Sequence, residues 1–240
     1  METIPKILFK IWGIKYGRFC ADKIQRCGTI IKKVGFLVIG AVFTLISCAS
    51  WSSYPIYLHI PPEKGHPQVS SELRGKMITI TTFEDNRGVD DVRVIGKRID
   101  YEGGEIPFIS SRGYPSANVT KAFQTYLFKR GYTVSGKNPS WNLDLQTIKP
   151  EWGDWVIGGS IEDLSLEVKS YVRTFYDCRL KLRVVVADAK EKNYRYRETV
   201  ELFSSYKGAV FRLENCERMI NKILEEAIEK ALDDLNKQQS

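Results

Sequence analysis

The clearest pattern in the chain is an alternation of apolar and polar side chains through its second half. Apolar or aromatic residues occupy most alternate positions of 156–168, 178–186 and 194–202, with polar or charged residues between them. A period of two is typical of strands that bury one face and expose the other. A polar stretch at 188–193 separates the last two segments. The pattern predicts a three-stranded antiparallel meander with one wet face.

Two other segments repeat apolar residues at steps of three and four, which is typical of an amphipathic helix. The first is the stripe at 119–127, for which Ser116 is a candidate N-cap and Gly131 a candidate C-cap. The second is 213–235. Each helix would have one apolar side to pack against a sheet.

Shorter strands complete the pattern. Residues 77–83, 92–96 and 132–134 are short β-branched or alternating runs, and the glycines and prolines of 103–115 predict a loop. The order of strands, helix, strands and helix predicts an α+β fold for residues 75–240. We expect an antiparallel sheet with two amphipathic helices packed on one face.

An uncharged apolar run lies near the N-terminus. It comprises the 14 residues from Val34 to Ser47 and follows Lys32 and Lys33. This is shorter than the roughly 20 apolar residues that a spanning helix needs. A basic flank, a short apolar core and small residues before a cleavage site form a secretory signal. Residues 1–47 are therefore predicted to be a signal peptide with an extended basic leader.

Leu45, Ile46, Ser47 and Cys48 close this run, and they resemble the lipobox of bacterial lipoproteins. The resemblance implies cleavage before Cys48, a diacylglycerol on its thiol and an N-acyl chain on the new N-terminus. No cofactor is expected beyond this covalent lipid. In lipoproteins generally, an Asp after the modified cysteine retains the protein in the inner membrane. Ala49 stands there, which favours the periplasmic face of the outer membrane.

Alternatives remain for the leader. An uncleaved signal anchor could extend to Trp51, because its 18 residues would span a thinned bilayer. The first twelve residues also place apolar side chains at helical spacing and could lie on a membrane surface. An over-extended translation start would explain the same length, since no Met follows Met1 until Met77.

The basic charge of the chain is concentrated in this leader. Residues 1–47 contain eight of the 36 basic and two of the 29 acidic residues, which leaves 28 basic and 27 acidic residues in the mature part. A nucleic-acid-binding protein would carry the basic excess on its folded domain. Here the excess of basic residues lies in the leader, where it keeps the N-terminus on the cytoplasmic side during export. A nucleic-acid partner is not expected, and the membrane is expected as a partner through the lipid anchor.

Residues 48–74 are predicted to be the lipidated cysteine and a Pro-rich tether that holds the domain off the bilayer. Alternating apolar residues at 56–60 could add a short edge strand within it. His59, Glu63 and His66 suggest a metal site only weakly, because a proline-broken backbone fixes ligand geometry poorly. No metal is expected.

The mature chain offers little for catalysis. Its two histidines, His59 and His66, both lie in the tether, so a serine or cysteine nucleophile has no placed base. No Gly-rich phosphate loop is followed by Lys and Ser or Thr. Glu84 and Asp85 predict an acidic turn with Arg87 as counter-charge better than an acid–base pair. No catalytic residue is assigned, and the protein is expected not to be an enzyme.

Cys178 and Cys216 are the remaining thiols of the mature chain once Cys48 is acylated. Both lie on apolar faces. A disulfide between them is permitted in an oxidising compartment, and two buried free thiols are the alternative.

Two groups of residues are candidate binding surfaces. Trp141, Trp152 and Trp155 lie near predicted strand ends and could line a cleft or touch a membrane interface, with ordinary core packing as the alternative. Arg179 and Arg183 lie on the wet face of the meander. They could recognise an anionic head group or an acidic partner, unless cross-strand acids neutralise them.

The chain resembles the YajG-type bacterial lipoproteins, and more loosely the auxiliary lipoproteins of envelope transporters. The resemblance rests on the lipobox, 58–61, the turn at 85–87, the helix ending in Arg130-Gly131-Tyr132, and the meander with its terminal helix. The long leader, the three tryptophans and the cysteine pair depart from it. It implies an envelope lipoprotein of ill-defined function with no established active site. We interpret the protein as a non-enzymatic, lipid-anchored module that binds an envelope protein or another envelope component. An accessory subunit of a lipid or lipopolysaccharide transporter, or an unrecognised periplasmic hydrolase, are the alternatives.

Overall fold

The computed structural model describes residues 53–60 and 75–238. The leader, Cys48 and residues 61–74 lie outside this part, as do Glu63 and His66. The described residues form nine strands, two α-helices and two short 3₁₀ helices. The strands are β1 (Tyr54–Ile56), β2 (Met77–Ile80), β3 (Glu84–Asp85), β4 (Val94–Ile99), β5 (Glu105–Ser110), β6 (Thr133–Val134), β7 (Trp155–Ser170), β8 (Thr174–Asp188) and β9 (Asn193–Gly208). The helices are α1 (Pro115–Lys129) and α2 (Leu213–Gln238), and the 3₁₀ helices are Leu145–Thr147 and Pro150–Trp152.

Strand β7 is the centre of the sheet. Along one edge it pairs antiparallel with β8, and β9 follows β8. Its other edge is shared in succession by β2, β3 and β4, all parallel to it. Strand β6 lies beyond β2, while β5 and then β1 lie beyond β4. The predicted meander is confirmed as the largest part of this sheet.

The predicted α+β class with two helices is confirmed, but the purely antiparallel sheet is wrong. The sheet is mixed, because β1 runs parallel to β5 and β2 parallel to both β6 and β7. Alternation along a strand shows which side chains share a face, and it carries no information about the direction of the neighbouring strand. Strand direction was predictable from the sequence only in the meander, because short connections between consecutive strands require antiparallel pairing.

The predicted loop at 103–115 contains strand β5. Pro107 obscured it, because proline is confined to unpaired edges or strand ends. In the structure Pro107 pairs with Lys97 of β4, while pairing with β1 starts only at Phe108. Pro107 is therefore paired on one side only, so its lack of an amide hydrogen leaves no hydrogen bond to β1 unmade.

Helix α1 begins at Pro115 with Tyr114 as its N-cap, so the predicted Ser116 cap is wrong by two residues. Proline suits this position because the first helical turn needs no amide donor. At the other end the predicted Gly131 takes a φ of 86°. Its amide donates to Phe128 O over 3.0 Å, and the Tyr132 amide donates to Leu127 O over 3.1 Å. This pattern of bonds closes the helix as a left-handed glycine cap does.

Both helices pack on one face of the sheet. Their apolar stripes and the inward side chains of β7 and β8, such as Ile157 and Val184, form one main core. The opposite, outward face carries a smaller core in which Trp141 and Ile148 cover Val156 and Val185. The segment of the chain that contains the 3₁₀ helices therefore shields one end of the outward face. The rest of that face is mostly polar, with Phe175 and Phe203 as exposed apolar exceptions.

The fold begins at Tyr54 and not at residue 75. The edge strand predicted over 56–60 lies earlier in the chain, as β1 over Tyr54–Ile56, and residues 57–60 continue from it without strand pairing. Residues 57–60, which follow β1, are hydrogen-bonded to side chains of helix α2 and not to another strand. The Asn221 carboxamide accepts from the His59 amide and donates to Tyr57 O, each over 2.8 Å. Glu217 accepts from the Tyr57 amide over 3.0 Å. The amide side chain thus replaces a backbone partner that the edge strand lacks.

The sheet has two distinct ends. Strands β4, β7 and β9 run in the same direction, so the connections that follow them, 100–104, 171–173 and 209–212, lie at one end. Strand β1 runs away from this end, which places Tyr54, its residue closest in sequence to Cys48, there as well. We call it the proximal end. The opposite, distal end contains Trp155 and the β8–β9 turn.

Candidate functional site

The lipobox residues Leu45, Ile46, Ser47 and Cys48 lie outside the described residues. The predicted lipidation therefore stays a prediction. No helix in the described ranges is long and apolar enough to cross a membrane.

The three tryptophans do not form a shared surface. Trp155 is buried in the main core, Trp141 is buried in the smaller core on the outward face, and Trp152 packs beside Trp141. The indole N–H of Trp141 donates to Asp144 O over 2.9 Å. All three lie towards the distal end. The core-packing alternative therefore describes Trp141 and Trp155, and neither is exposed enough to bind a partner or a membrane.

Arg179 and Arg183 lie on the outward face, as predicted. Arg179 is the more exposed, with its Nε 4.0 Å from Asp163. Between the two arginines, Lys181 stands in register with Asp163 on one side and Glu201 on the other. Acids therefore alternate with bases across the strands, which leaves little net positive potential on this face.

Cys178 and Cys216 are free thiols, and both are buried. Burial raises the pKa of Cys178 to about 12, with Cys216 as the second cause. Burial likewise raises the pKa of Cys216 to about 12. A thiol that ionises so reluctantly is a poor nucleophile, so neither cysteine is suited to catalysis in this environment.

The predicted role of Arg87 as counter-charge to Asp85 is confirmed, but Glu84 and Asp85 lie in strand β3, paired with β7, and not in a turn. Arg87 is bidentate to Asp85, with both N–H···O distances at 2.7 Å. Its guanidinium also donates to Val94 O over 2.8 Å and to Val92 O over 2.6 Å. An outward groove of about 480 Å³ lies beside it. Because its N–H groups are already engaged, Arg87 offers no charge to a ligand there.

A second groove, of about 560 Å³, lies between the segment 57–60 and helix α1. Arg112 and Lys121 are its basic residues, and Arg112 lies 4.9 Å above the ring of Tyr57. His59, the one described member of the predicted metal trio, lines it, and its Nδ1 lies 3.2 Å from Asn221 Nδ2. No group of three metal-binding side chains occurs within residues 53–60 and 75–238. The groove is suited to an acidic or mixed polar group.

An aromatic cluster forms the base of the proximal end. The ring of Phe211 lies 5.1 Å from that of Tyr54 and 6.5 Å from that of Tyr176. The Arg98 guanidinium lies over the Phe211 ring, 4.2 Å from its centroid, and donates to the Tyr54 hydroxyl over 2.9 Å. The Tyr176 hydroxyl donates to Val210 O and accepts from the Arg212 amide. These contacts hold the first residues of the fold and the β9–α2 connection in fixed positions.

Apolar residues project from the turns above this base. Tyr101 is 79% exposed, Tyr171 55%, Val172 92% and Val210 59%. The basic residues Arg173 and Lys207 accompany them, and with Val172 they line one shallow depression. We call these six residues the proximal patch. Sequence reasoning missed it, although two apolar residues in the tight turn after Ser170 were a visible signal.

Comparison with known proteins identifies no family for the chain. No family model matches the chain, and no curated protein does. Among solved structures, protein XCC0632 from Xanthomonas campestris, a DUF330 protein, is similar with a TM-score of 0.48 and 9% identity, over 79% of this chain and 100% of that one. The PelC dodecamer from Paraburkholderia phytofirmans has a TM-score of 0.34 and 11% identity, over 64% and 88%.

The hypothetical protein CT253 from Chlamydia trachomatis has a TM-score of 0.32 and 10% identity, over 54% of this chain and 72% of that one. All three are bacterial proteins. Likeness at this level is restricted to the course of the chain. The resemblance to YajG-type lipoproteins stays a prediction.

Proposed function

We propose that the protein is a lipid-anchored lipoprotein of the bacterial envelope that serves as a non-enzymatic binding or assembly module. It would be exported, cleaved before Cys48 and acylated on that residue. The domain would then stand at the periplasmic face, with the outer membrane favoured over the inner one by Ala49.

The position of Tyr54 carries this proposal. Its ring and hydroxyl are both engaged in the aromatic cluster, and β1 pairs with β5 from this residue onward. Only five residues separate it from Cys48. A lipid on Cys48 would thus attach directly to a folded domain, and two or three acyl chains give firm membrane attachment. The short spacing suits an anchor whose purpose is to hold the domain close to the bilayer.

The packing of the domain supports a protein-binding role over lipid carriage. The space between the sheet and the two helices is filled by one continuous core that includes Phe108, Phe123 and Ile220. A lipid carrier needs an apolar cavity that can hold an acyl chain. The groove beside α1 contains Arg112 and Lys121 instead, which suits an acidic segment of a partner.

Metabolic labelling with a radioactive fatty acid tests the anchor. We expect label in the parent chain and in a Cys27→Ala control, and none in a Cys48→Ala variant. Mass spectrometry of the purified protein should show the new N-terminus at Cys48. Equal label in Cys48→Ala, or an intact leader without added lipid, would refute the proposal and leave an uncleaved single-pass protein.

Affinity capture of the anchored protein from membranes tests the molecular role. Eluates are divided for protein identification and for lipid extraction, with an Arg112→Glu/Lys121→Glu variant as the matched control. A protein that is recovered with the parent and lost with the variant supports the binding module. Stoichiometric lipid that co-purifies equally with both would favour the transporter-subunit alternative.

A further inference from the structure

The proximal patch differs from the rest of the surface in combining exposed apolar residues with basic ones. Tyr101, Tyr171 and Val172 lie on two neighbouring turns, because Ile99 and Lys169, at the ends of the strands that precede those turns, are paired. Val210 follows β9, whose end pairs with Thr174 next to the same turn. The residues of the patch therefore lie together at one end of the sheet and are not scattered over the surface.

Arg173 and Lys207 take part in no ion pair with another described residue, and Lys207 lies 4.9 Å above the ring of Phe175. At the distal end, by contrast, Lys190 pairs with Asp154 and Arg195 with Asp188. Cations beside exposed aromatic and aliphatic side chains are typical of surfaces that lie in the head-group region of a bilayer.

The length of chain before the fold places this end next to the membrane. Five residues link Cys48 to Tyr54, and a fully extended chain covers at most about 3.6 Å per residue. The first residue of β1 is therefore held within about 20 Å of the acylated residue. Because Tyr54 itself lies at the proximal end, the short link joins Cys48 to the end of the sheet that carries the patch.

We infer that the proximal patch is a membrane-contact surface that rests on the anionic head groups of the bilayer carrying the lipid anchor. The apolar turns enter the interface, and Arg173 and Lys207 bind lipid phosphates. This inference rests on the proposed anchor at Cys48. Its consequence is a fixed orientation, in which the sheet stands upright and presents its distal end and the groove beside α1 to the periplasm.

The test measures which residue touches lipid. A fluorescent naphthyl amino acid is introduced at Val172 of the full chain, and in a second sample at Phe203 as the matched control. Phe203 is also an exposed apolar residue of the meander, at 61% exposure. It lies five residues before the end of β9, or about 17 Å at the rise of a strand. Each protein is reconstituted in phosphatidylcholine vesicles, with and without phosphatidylglycerol, that contain brominated acyl chains, and fatty acid on Cys48 is measured in the same samples.

We expect bromine to quench the probe at 172 and not the probe at 203, with stronger quenching when phosphatidylglycerol is present. Quenching at 203 and not at 172 would overturn the inference, because the domain would then lie on its outward face. No quenching at either site in acylated protein would also overturn it, while leaving the proposed anchor intact. Unacylated Cys48 with quenching at 172 would refute the anchor and support the contact surface.

A charge variant sharpens the result. An Arg173→Gln/Lys207→Gln variant of the probe-172 protein loses about five-fold in binding to an anionic surface for each charge, or about 25-fold together. The control is Arg179→Gln/Lys181→Gln on the outward face. Equal quenching in the parent and in both variants would show that the basic residues do not contact lipid, which contradicts the inference.

Discussion

The two ends of the sheet use the same kinds of residue in opposite ways. At the distal end Trp141 and Trp155 are buried, with 2% and 5% of their surface exposed, and the turn beside them is polar. The Asp188 carboxylate there accepts from the amides of Lys190 and Glu191, each over 3.0 Å. At the proximal end the aromatic and aliphatic residues project from the turns instead.

This difference separates residues that stabilise the fold from residues that are free for another role. Burial of a large aromatic side chain contributes several kcal/mol to folding, whereas an exposed one contributes almost nothing. The proximal end keeps its rigidity through the aromatic cluster around Phe211, which lies beneath the patch. The exposed residues can therefore be substituted without loss of the fold. Their apolar and basic side chains indicate the kind of surface that the proximal end contacts.

The largest effect is expected from Trp141→Ala. The substitution removes the main cover of the outward core at the distal end and should lower the free energy of unfolding by about 3–5 kcal/mol. Urea denaturation of the full chain in detergent measures it. A loss below about 1 kcal/mol would show that this aromatic, like those of the proximal patch, is not needed for folding.

A pair of hydroxyl deletions should have opposite signs at the two ends. Tyr176→Phe removes two hydrogen bonds beneath the proximal patch, to Val210 O and from the Arg212 amide, and should destabilise by about 1–2 kcal/mol. Tyr196 lies towards the distal end, and its buried hydroxyl has no partner among the described residues. Tyr196→Phe should therefore be neutral or stabilise by up to about 1 kcal/mol.

Tyr196 should also make the stability of the fold depend on pH in the alkaline range. Burial, and then the charges of Asp234 and Glu198, raise the pKa of Tyr196 to about 12. The unfolded chain ionises near pH 10, so stability from this group is complete below pH 10 and is lost as pH rises towards 12. A stability profile measured by urea melts across this range should be flatter for Tyr196→Phe. Identical profiles for the parent and the variant would contradict the assignment.

A smaller, acid-dependent effect is expected at the distal end. Hydrogen bonds from Lys190 Nζ, over 2.6 Å, and from the Met77 amide hold the pKa of Asp154 below its ordinary value of 3.8. Stability from this group is therefore present above about pH 4 and is lost as pH falls through the lowered pKa. Hydrogen exchange at Met77 and Ala189 should accelerate in this window. In Asp154→Asn, exchange at both amides should already be fast at neutral pH.

The smallest effect is expected from Val172→Ser at the tip of the proximal turn. This side chain is 92% exposed, so the free energy of unfolding should stay within about 0.5 kcal/mol of the parent. Urea melts beside those of Trp141→Ala complete the comparison of the two ends. A large loss here would mean that Val172 packs against something in the folded protein, and would argue against its role as a free contact residue.

The sequence predicted the elements that have long, regular patterns. Alternation over 156–202 and the three–four spacing of 213–235 persist for many residues, so chance interruptions such as Glu198 do not hide them. Gly131 was readable because only a residue tolerant of positive φ closes a helix in this way. Strand β5 was missed since Pro107 and the glycines before it dominate a short segment.

The arrangement around these elements was not predictable from the pattern. Parallel pairing of β2 and β4 along one edge of β7 depends on contacts between residues 70 to 77 positions apart, and local spacing carries no information about such contacts. The sequence singled out the tryptophans but could not predict whether they are buried, because an indole near a strand end suits a core as well as a cleft. The proximal patch became visible only when three turns, distant in sequence, were brought to one end.

The direction of β1 has a mechanical consequence under the proposed anchor. Any drag on the domain is transmitted through residue 53 to a strand that lies parallel to the pull, so the pairs from Tyr54–Phe108 to Ile56–Ser110 share the load. Hydrogen bonds loaded side by side resist shearing, whereas a strand pulled outward would peel one bond at a time. An anchor at Cys48 would thus attach the domain in a geometry that withstands tension, and single-molecule pulling from position 48 would record a rupture force well above that from a handle at Ser110.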